Sequence, residues 1–163
     1  MGAGKTTIGR YLADILHWQF LDSDHEIAQR TGASIPWIFD VEGEEGFRRR
    51  EEAMIAELTN LRHVVLATGG GAILKPTNRQ YLHQRGLVIY LDTPVSMQLE
   101  RTAMDKNRPL LQAPNPEQRL TELLKIRDPL YREVAHLIIP TTSGCARDLA
   151  QKIVQSLPST PLK

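Results

Sequence analysis

The chain has 163 residues, 41% of them hydrophobic and 24% charged, with a formal net charge of +1. That length suits one domain with its own core, and so balanced a charge supplies no broad basic field for nucleic acid or an anionic membrane. A single cysteine, Cys145, excludes an intrachain disulfide and suits a cytoplasmic setting, and no apolar run approaches the length of a membrane span.

Ile8, Tyr11, Leu12, Ile15 and Leu16 repeat at the spacing of a helix with one buried stripe, which predicts a first helix from Lys5 to His17. Phe20-Leu21 reads as a short strand, closed by Asp22-Ser23-Asp24 before a helical segment that stops at Gly32. A long helical region from Ile35 to Asn60 is expected to break near Gly43 and Gly46. Val64–Ala67 reads as a buried parallel strand ended by Gly69-Gly70-Gly71. Pro76 to Gln84 is a helix with Gly86 as its stop, Leu87–Leu91 a second buried strand, and Asp92-Thr93-Pro94 opens a helix toward Arg101. Residues 103–116 carry three prolines and no period, and read as a mobile lid. Leu120, Leu123 and Leu124 return to helical spacing, His136 to Pro140 is a last strand, and Leu149, Ala150, Ile153, Val154 and Leu157 form the apolar face of a closing helix. Strands alternating with helices predict an α/β fold, a parallel sheet with helices on both faces, in one domain over 1–163.

The start, Gly2-Ala3-Gly4-Lys5-Thr6-Thr7, is the second half of the phosphate-cradling pattern G-x-x-x-x-G-K-[ST]. Glycines let backbone N–H groups turn inward, and the following helix adds the positive end of its dipole. Lys5 would reach the terminal phosphates, and the Thr6 hydroxyl would ligate Mg²⁺. The leading glycine and the strand that feeds such a loop would lie before Met1, so the N-terminal strand is expected to be missing from this chain and Met1 to be an internal methionine of a longer product. In a parallel sheet, ligands gather at the carboxyl ends of the strands, which brings the half-loop, Asp22 and Asp24, and the glycine triplet to one crevice. The aspartate pair suggests one carboxylate on the magnesium side and one toward a substrate hydroxyl; a helix N-cap is the ordinary alternative for either. Among Arg48, Arg49 and Arg50 the sequence alone does not choose, and Arg108 and Arg132 read equally as surface charge.

The ordered set G-A-G-K-T-T (2–7), L-D-S-D (21–24), I-F-D-V-E-G-E-E-G-F-R (38–48), A-T-G-G-G (67–71), N-R-P-L-L (107–111) and R-D-P-L-Y-R (127–132) resembles the shikimate kinase family. The resemblance implies a nucleoside monophosphate kinase-like P-loop fold, with a substrate-binding helical region over about 23–60. It implies transfer of the ATP γ-phosphoryl group to the 3-hydroxyl of shikimate, with ATP, Mg²⁺ and shikimate as the partners and a monomer as the working unit. It implies Asp24 as the base or orienter, with Lys5 and the lid arginine Arg108 assisting. ATP would lie on residues 2–7, with Arg101 against adenine, and the loop 142–146 would cover the other face of the base. Mg²⁺ would sit on Thr6 and Asp22. Shikimate would be held by Asp24, Gly70, Gly71, and the two arginines Arg48 and Arg132, with Phe39 and Phe47 as pocket walls or plain core. A kinase for another small hydroxy acid such as gluconate, or a nucleotide-binding protein without transfer activity, shares parts of this pattern.

Overall fold

The computed structural model describes residues 2–102, 115–141 and 144–158. Along these residues run α1 (Lys5–Leu16), β1 (Gln19–Asp22), α2 (Ser23–Thr31), α3 (Ile35–Leu58), β2 (Val64–Ala67), a 3-10 turn (Ala72–Leu74), α4 (Pro76–Arg85), β3 (Ile89–Asp92), α5 (Val95–Thr102), α6 (Pro116–Val134), β4 (Leu137–Pro140) and α7 (Ala146–Gln155). The helix boundaries follow local chemistry. The Asp22 side chain accepts the N–H groups of Asp24 and His25 and starts α2, and Ser34 does the same for α3 through Trp37. The predicted break in α3 falls at Gly43 (φ 71, ψ 177), which divides one long helix into two segments.

Two expectations change at α6. Pro116, read as the end of the lid, is the first residue of the helix: the Asn115 side chain accepts the N–H of Gln118, and a proline at this position lacks only a donor that would go unused. The helix then continues past Pro129, so the apolar Leu120–Leu124 stretch and the segment 127–132 lie on one rod. The remainder of the expected lid, 103–114, lies outside the described residues.

Strand side chains alternate between two helical layers. Leu21 and its register partner Leu66 pack with Ile27, Ile38 and Phe47 of α2 and α3, whereas Val65 turns the other way, to Ile8 and Leu12 of α1 and Ile153 of α7. In the second pair, Ile89, Leu91 and Ile139 join the α1/α7 layer, while Tyr90 faces α6 and stacks on Tyr131. Helices therefore cover both faces, as expected.

The sheet itself is divided. β1 pairs with β2 and β3 with β4, each parallel, and among the described residues β2 and β3 are not joined. A cavity of about 560 Å³ lies between them, walled by Val64–Ala67 and Ile89–Leu91 and closed by Ile8 and Ile153 from one layer and Leu58 and Val134 from the other. The expected parallel sheet is thus two half-sheets with the cavity between them, and Ala3 borders that cavity. Adding a strand-forming apolar segment of about five residues ahead of Gly2 is expected to raise the melting temperature and lower binding of the dye ANS, because it would pair both inner edges and fill the cavity. Unchanged melting and dye binding would mean the cleft does not accept a strand.

At the opposite end of the strands the rings of His83 and His136 stack, with centroids 4.4 Å apart. His136 Nδ1 accepts the Val88 N–H at 3.0 Å, and burial, together with the neighbouring His83, holds its pKa below the usual histidine value. The folded chain therefore binds fewer protons here than the unfolded chain, so this contribution is complete above about pH 6.5 and is lost as the pH falls through the lower folded value. Melting temperature is expected to fall on acidification below that pH, and His136→Gln to flatten the dependence.

Candidate active site

The first helix opens on the glycine-containing half-loop. Gly2 (φ 65) and Gly4 (φ 83) both adopt left-handed backbone, and Gly4 starts α1 without a side-chain cap. The Thr6 hydroxyl lies 3.3 Å from Asp22 Oδ2, while Asp22 Oδ1 is the cap of α2. One carboxylate thus serves as both helix cap and neighbour of the phosphate loop, so the two readings of Asp22 are compatible. Arg101 Nη1 donates to the Gly2 carbonyl at 3.3 Å and lies alongside Gly4.

The glycine triplet after β2 has its carbonyls fully used. Gly69 O accepts from Ala72 N, Gly70 O from the Tyr131 hydroxyl at 2.5 Å, and Gly71 O from Leu74 N. Gly69 N–H donates to the buried Ser23 hydroxyl, whereas the N–H groups of Gly70 and Gly71 have no partner among the described residues. Two backbone donors are therefore presented side by side.

Arg48 rests on this turn so closely that a Cβ at Gly71 would overlap its guanidinium. Arg48 is 7% exposed, and its guanidinium bonds Glu51 Oε2 at 2.6 Å and Glu44 Oε1 at 3.1 Å. Burial opposes its charge, but the two carboxylates overcome this and raise its pKa. Glu51 is completely buried; that burial raises its pKa, Arg48 pulls it down, and Asp24 pushes it further up. A Cβ at Gly69 would lie 2.7 Å from Asp24 Oδ1 and 2.8 Å from Glu51 Oε1, so the two carboxylates meet over bare backbone. Glu51 Oε1 and Arg48 Nε are buried without hydrogen-bond partners among the described residues.

The second expected arginine lies apart from the triplet. Arg132 turns away from the triplet, bonding Asp92 Oδ2 and Asp128 Oδ2 at 2.8 Å each. The arginine of the same motif that reaches the triplet is Arg127, 5% exposed, whose Nη1 would stand 3.4 Å from a Cβ at Gly70. The reason is helical phase: Arg127 and Tyr131 are one turn apart on the face toward the triplet, and Arg132 is rotated about 100° from Tyr131. Arg127, Tyr131, Glu51 and Glu44 were not singled out from the sequence; the i, i+3 and i, i+4 offsets from Arg48 and Arg127 are the signal that could have found them. Phe47 belongs to the core, 3% exposed, with Phe39 tilted against it at 4.7 Å between centroids, and the Arg48 guanidinium lies over its ring. Arg108, and Thr142 and Ser143 of the loop expected over the base, fall outside the described residues.

Comparison with known proteins agrees with this architecture. The family model for shikimate kinase matches residues 1–158. A shikimate kinase of Acinetobacter baumannii (strain AYE) is 65% identical over 163 residues, covering 100% of this chain and 91% of the relative, and one from Halorhodospira halophila is 60% identical over 99% of this chain and 91% of the relative. Among solved structures, the shikimate kinase from Acinetobacter baumannii in complex with shikimate superposes with a TM-score of 0.94 at 66% identity, covering 95% of this chain and 87% of that one. The shikimate kinase from Bacteroides thetaiotaomicron reaches 0.87 at 29% identity, covering 95% and 92%. With a family match along nearly the whole sequence and a relative 65% identical over all 163 residues, the chain belongs to the shikimate kinase family.

Proposed function

We propose that this chain transfers the γ-phosphoryl group of ATP to the 3-hydroxyl of shikimate, giving shikimate 3-phosphate and ADP, as a cytoplasmic monomer. The observation that carries the reading is the cluster of Arg48, Arg127 and the N–H groups of Gly70 and Gly71, with the Asp24 carboxylate over the adjoining Gly69, because it offers an acid group and ring hydroxyls complementary partners within one pocket. Arg48 and Arg127 are planar forks suited to a carboxylate, and both are desolvated, which strengthens each charged hydrogen bond.

On the nucleotide side, residues 2–7 supply backbone donors, Lys5 and the helix dipole for the phosphates, and Arg101 borders the loop on the side proposed for adenine. Thr6 and Asp22 fit Mg²⁺, since a hydroxyl and a carboxylate are hard oxygen donors and this ion takes its other ligands from phosphate and water. Among the described residues no larger His, Cys, Asp or Glu cluster is placed to hold a metal. When bound, Mg²⁺ would supply charge neutralisation on the phosphates. Asp24 sits at the start of α2, where it accepts or orients the proton of the attacking hydroxyl. Arg108 is assigned to the phosphates on the strength of its motif. Catalysis of this kind is positioning plus charge neutralisation.

Asp24→Asn is expected to lower kcat by at least about a hundredfold, the usual worth of a positioned proton acceptor, with ATP affinity nearly unchanged; an unaltered kcat in a coupled ADP-release assay would remove Asp24 from the chemistry. Arg48→Ala and Arg127→Ala are each expected to raise KM for shikimate by about tenfold or more while leaving KM for ATP within about twofold, and Arg132→Ala to leave both within about twofold. A shikimate-specific effect at Arg132 and none at Arg127 would restore the assignment made from sequence.

A further inference from the structure

Tyr131 stands one helical turn beyond Arg127 on α6 and touches the glycine turn directly, its hydroxyl donating to the Gly70 carbonyl at 2.5 Å. Its ring is held from the other side by Tyr90 of β3, stacked at 5.0 Å between centroids with 29° between the planes. Tyr90 is itself fixed, since its hydroxyl donates to Asp128 Oδ1 at 2.9 Å, and Asp128 is bonded to Arg132. A Cβ at Gly70 would lie 3.3 Å from the Tyr131 hydroxyl and 3.4 Å from Arg127 Nη1, so phenol and guanidinium flank the same face of that glycine.

A phenol can donate one hydrogen bond and still accept from a neighbouring N–H, so one oxygen can engage both the Gly70 carbonyl and the Arg127 fork. The peptide unit between Gly70 and Gly71 is planar and trans, and fixing its carbonyl fixes its N–H in the opposite direction. Glycines left to themselves would sample many orientations of that plane. We infer that Tyr131 is a positioning residue for the acceptor substrate: its hydroxyl sets the direction of the Gly71 N–H and the seat of the Arg127 guanidinium together. The inference rests on the proposed reading of Gly71 and Arg127 as substrate donors. Arg132, through Asp128 and Tyr90, belongs to the outer end of the same chain of contacts and has no direct part in binding.

The test is Tyr131→Phe, which keeps the ring and its stacking and removes the oxygen. Steady-state kinetics with each substrate varied are expected to give a KM for shikimate raised about tenfold, a kcat within about threefold and an unchanged KM for ATP, with Arg127→Ala measured beside it. A KM for shikimate unchanged in Tyr131→Phe but raised in Arg127→Ala would reduce Tyr131 to packing and overturn the inference alone. No change in either variant would overturn the reading of the pocket beneath it. Should Tyr131→Phe fail to fold, the unmodified protein labelled with ¹⁵N-glycine decides: its Gly71 amide resonance is expected to shift on saturation with shikimate alone, and a static resonance would overturn the inference.

Discussion

The contact on which the site depends is a guanidinium laid against bare backbone. Arg48 is removed from water, and the only way to keep it there is to satisfy it, which Glu51 and Glu44 do from one turn on either side along the same helix. Losing one partner of such a buried pair typically costs about 3–5 kcal/mol, a large part of the stability of a small domain. The pairing forces the glycine turn to carry no side chain, locks the second segment of α3 against the end of β2, and brings Glu51 up to Asp24. Binding geometry and folding stability thus rest on the same few atoms. A substrate acid group arriving at Arg48 would add a third anion to a cation already shared by two, which favours recognition through orientation over net charge.

The break at Gly43 separates two tasks within α3. The segment after it carries Arg48 and Glu51 and is anchored in the core through Phe47, Met54 and Leu58. The segment before it is anchored by Ile38 alone among its fully buried residues and leaves Trp37 and Val41 more than half exposed. A continuous helix would transmit any movement of the outer segment to Arg48. The kink sets the outer segment apart from the buried ion pair, and Arg50 ties the two segments together by donating to Glu42 at 2.9 and 2.7 Å.

Much of this was legible in the sequence, for physical reasons that differ by element. Buried helices and strands announced themselves through period, so α1, β2 and α7 fall close to where apolar spacing put them. The half-loop, the aspartate pair and the glycine triplet were expected in one crevice from the strand ends alone, and the structure does place Thr6 beside Asp22 and Asp24 beside Gly69. Arg127 was hidden because, in a charged motif with two arginines, only helical phase tells which one faces inward, and Pro129 disguised the continuity of the helix that sets that phase. Tyr131 was hidden because a tyrosine among apolar residues reads as core until its hydroxyl is seen on a glycine carbonyl. Pro116 was misread since a proline marks a loop and a helix's first turn with equal force. The cavity between the half-sheets needed three-dimensional packing to be seen.

The cleft between β2 and β3 bears on how the chain behaves in a crowded solution. Two parallel edges that no described strand joins are a template for another chain's strand, and an edge on a protein's rim would recruit one readily. Here both edges lie between the α1/α7 layer and the layer of α4 and α6. Intermolecular pairing therefore has to wait for the helical layers to separate. Self-association should follow the frequency of that opening, so that aggregation is governed by breathing of the fold more than by encounters at its surface.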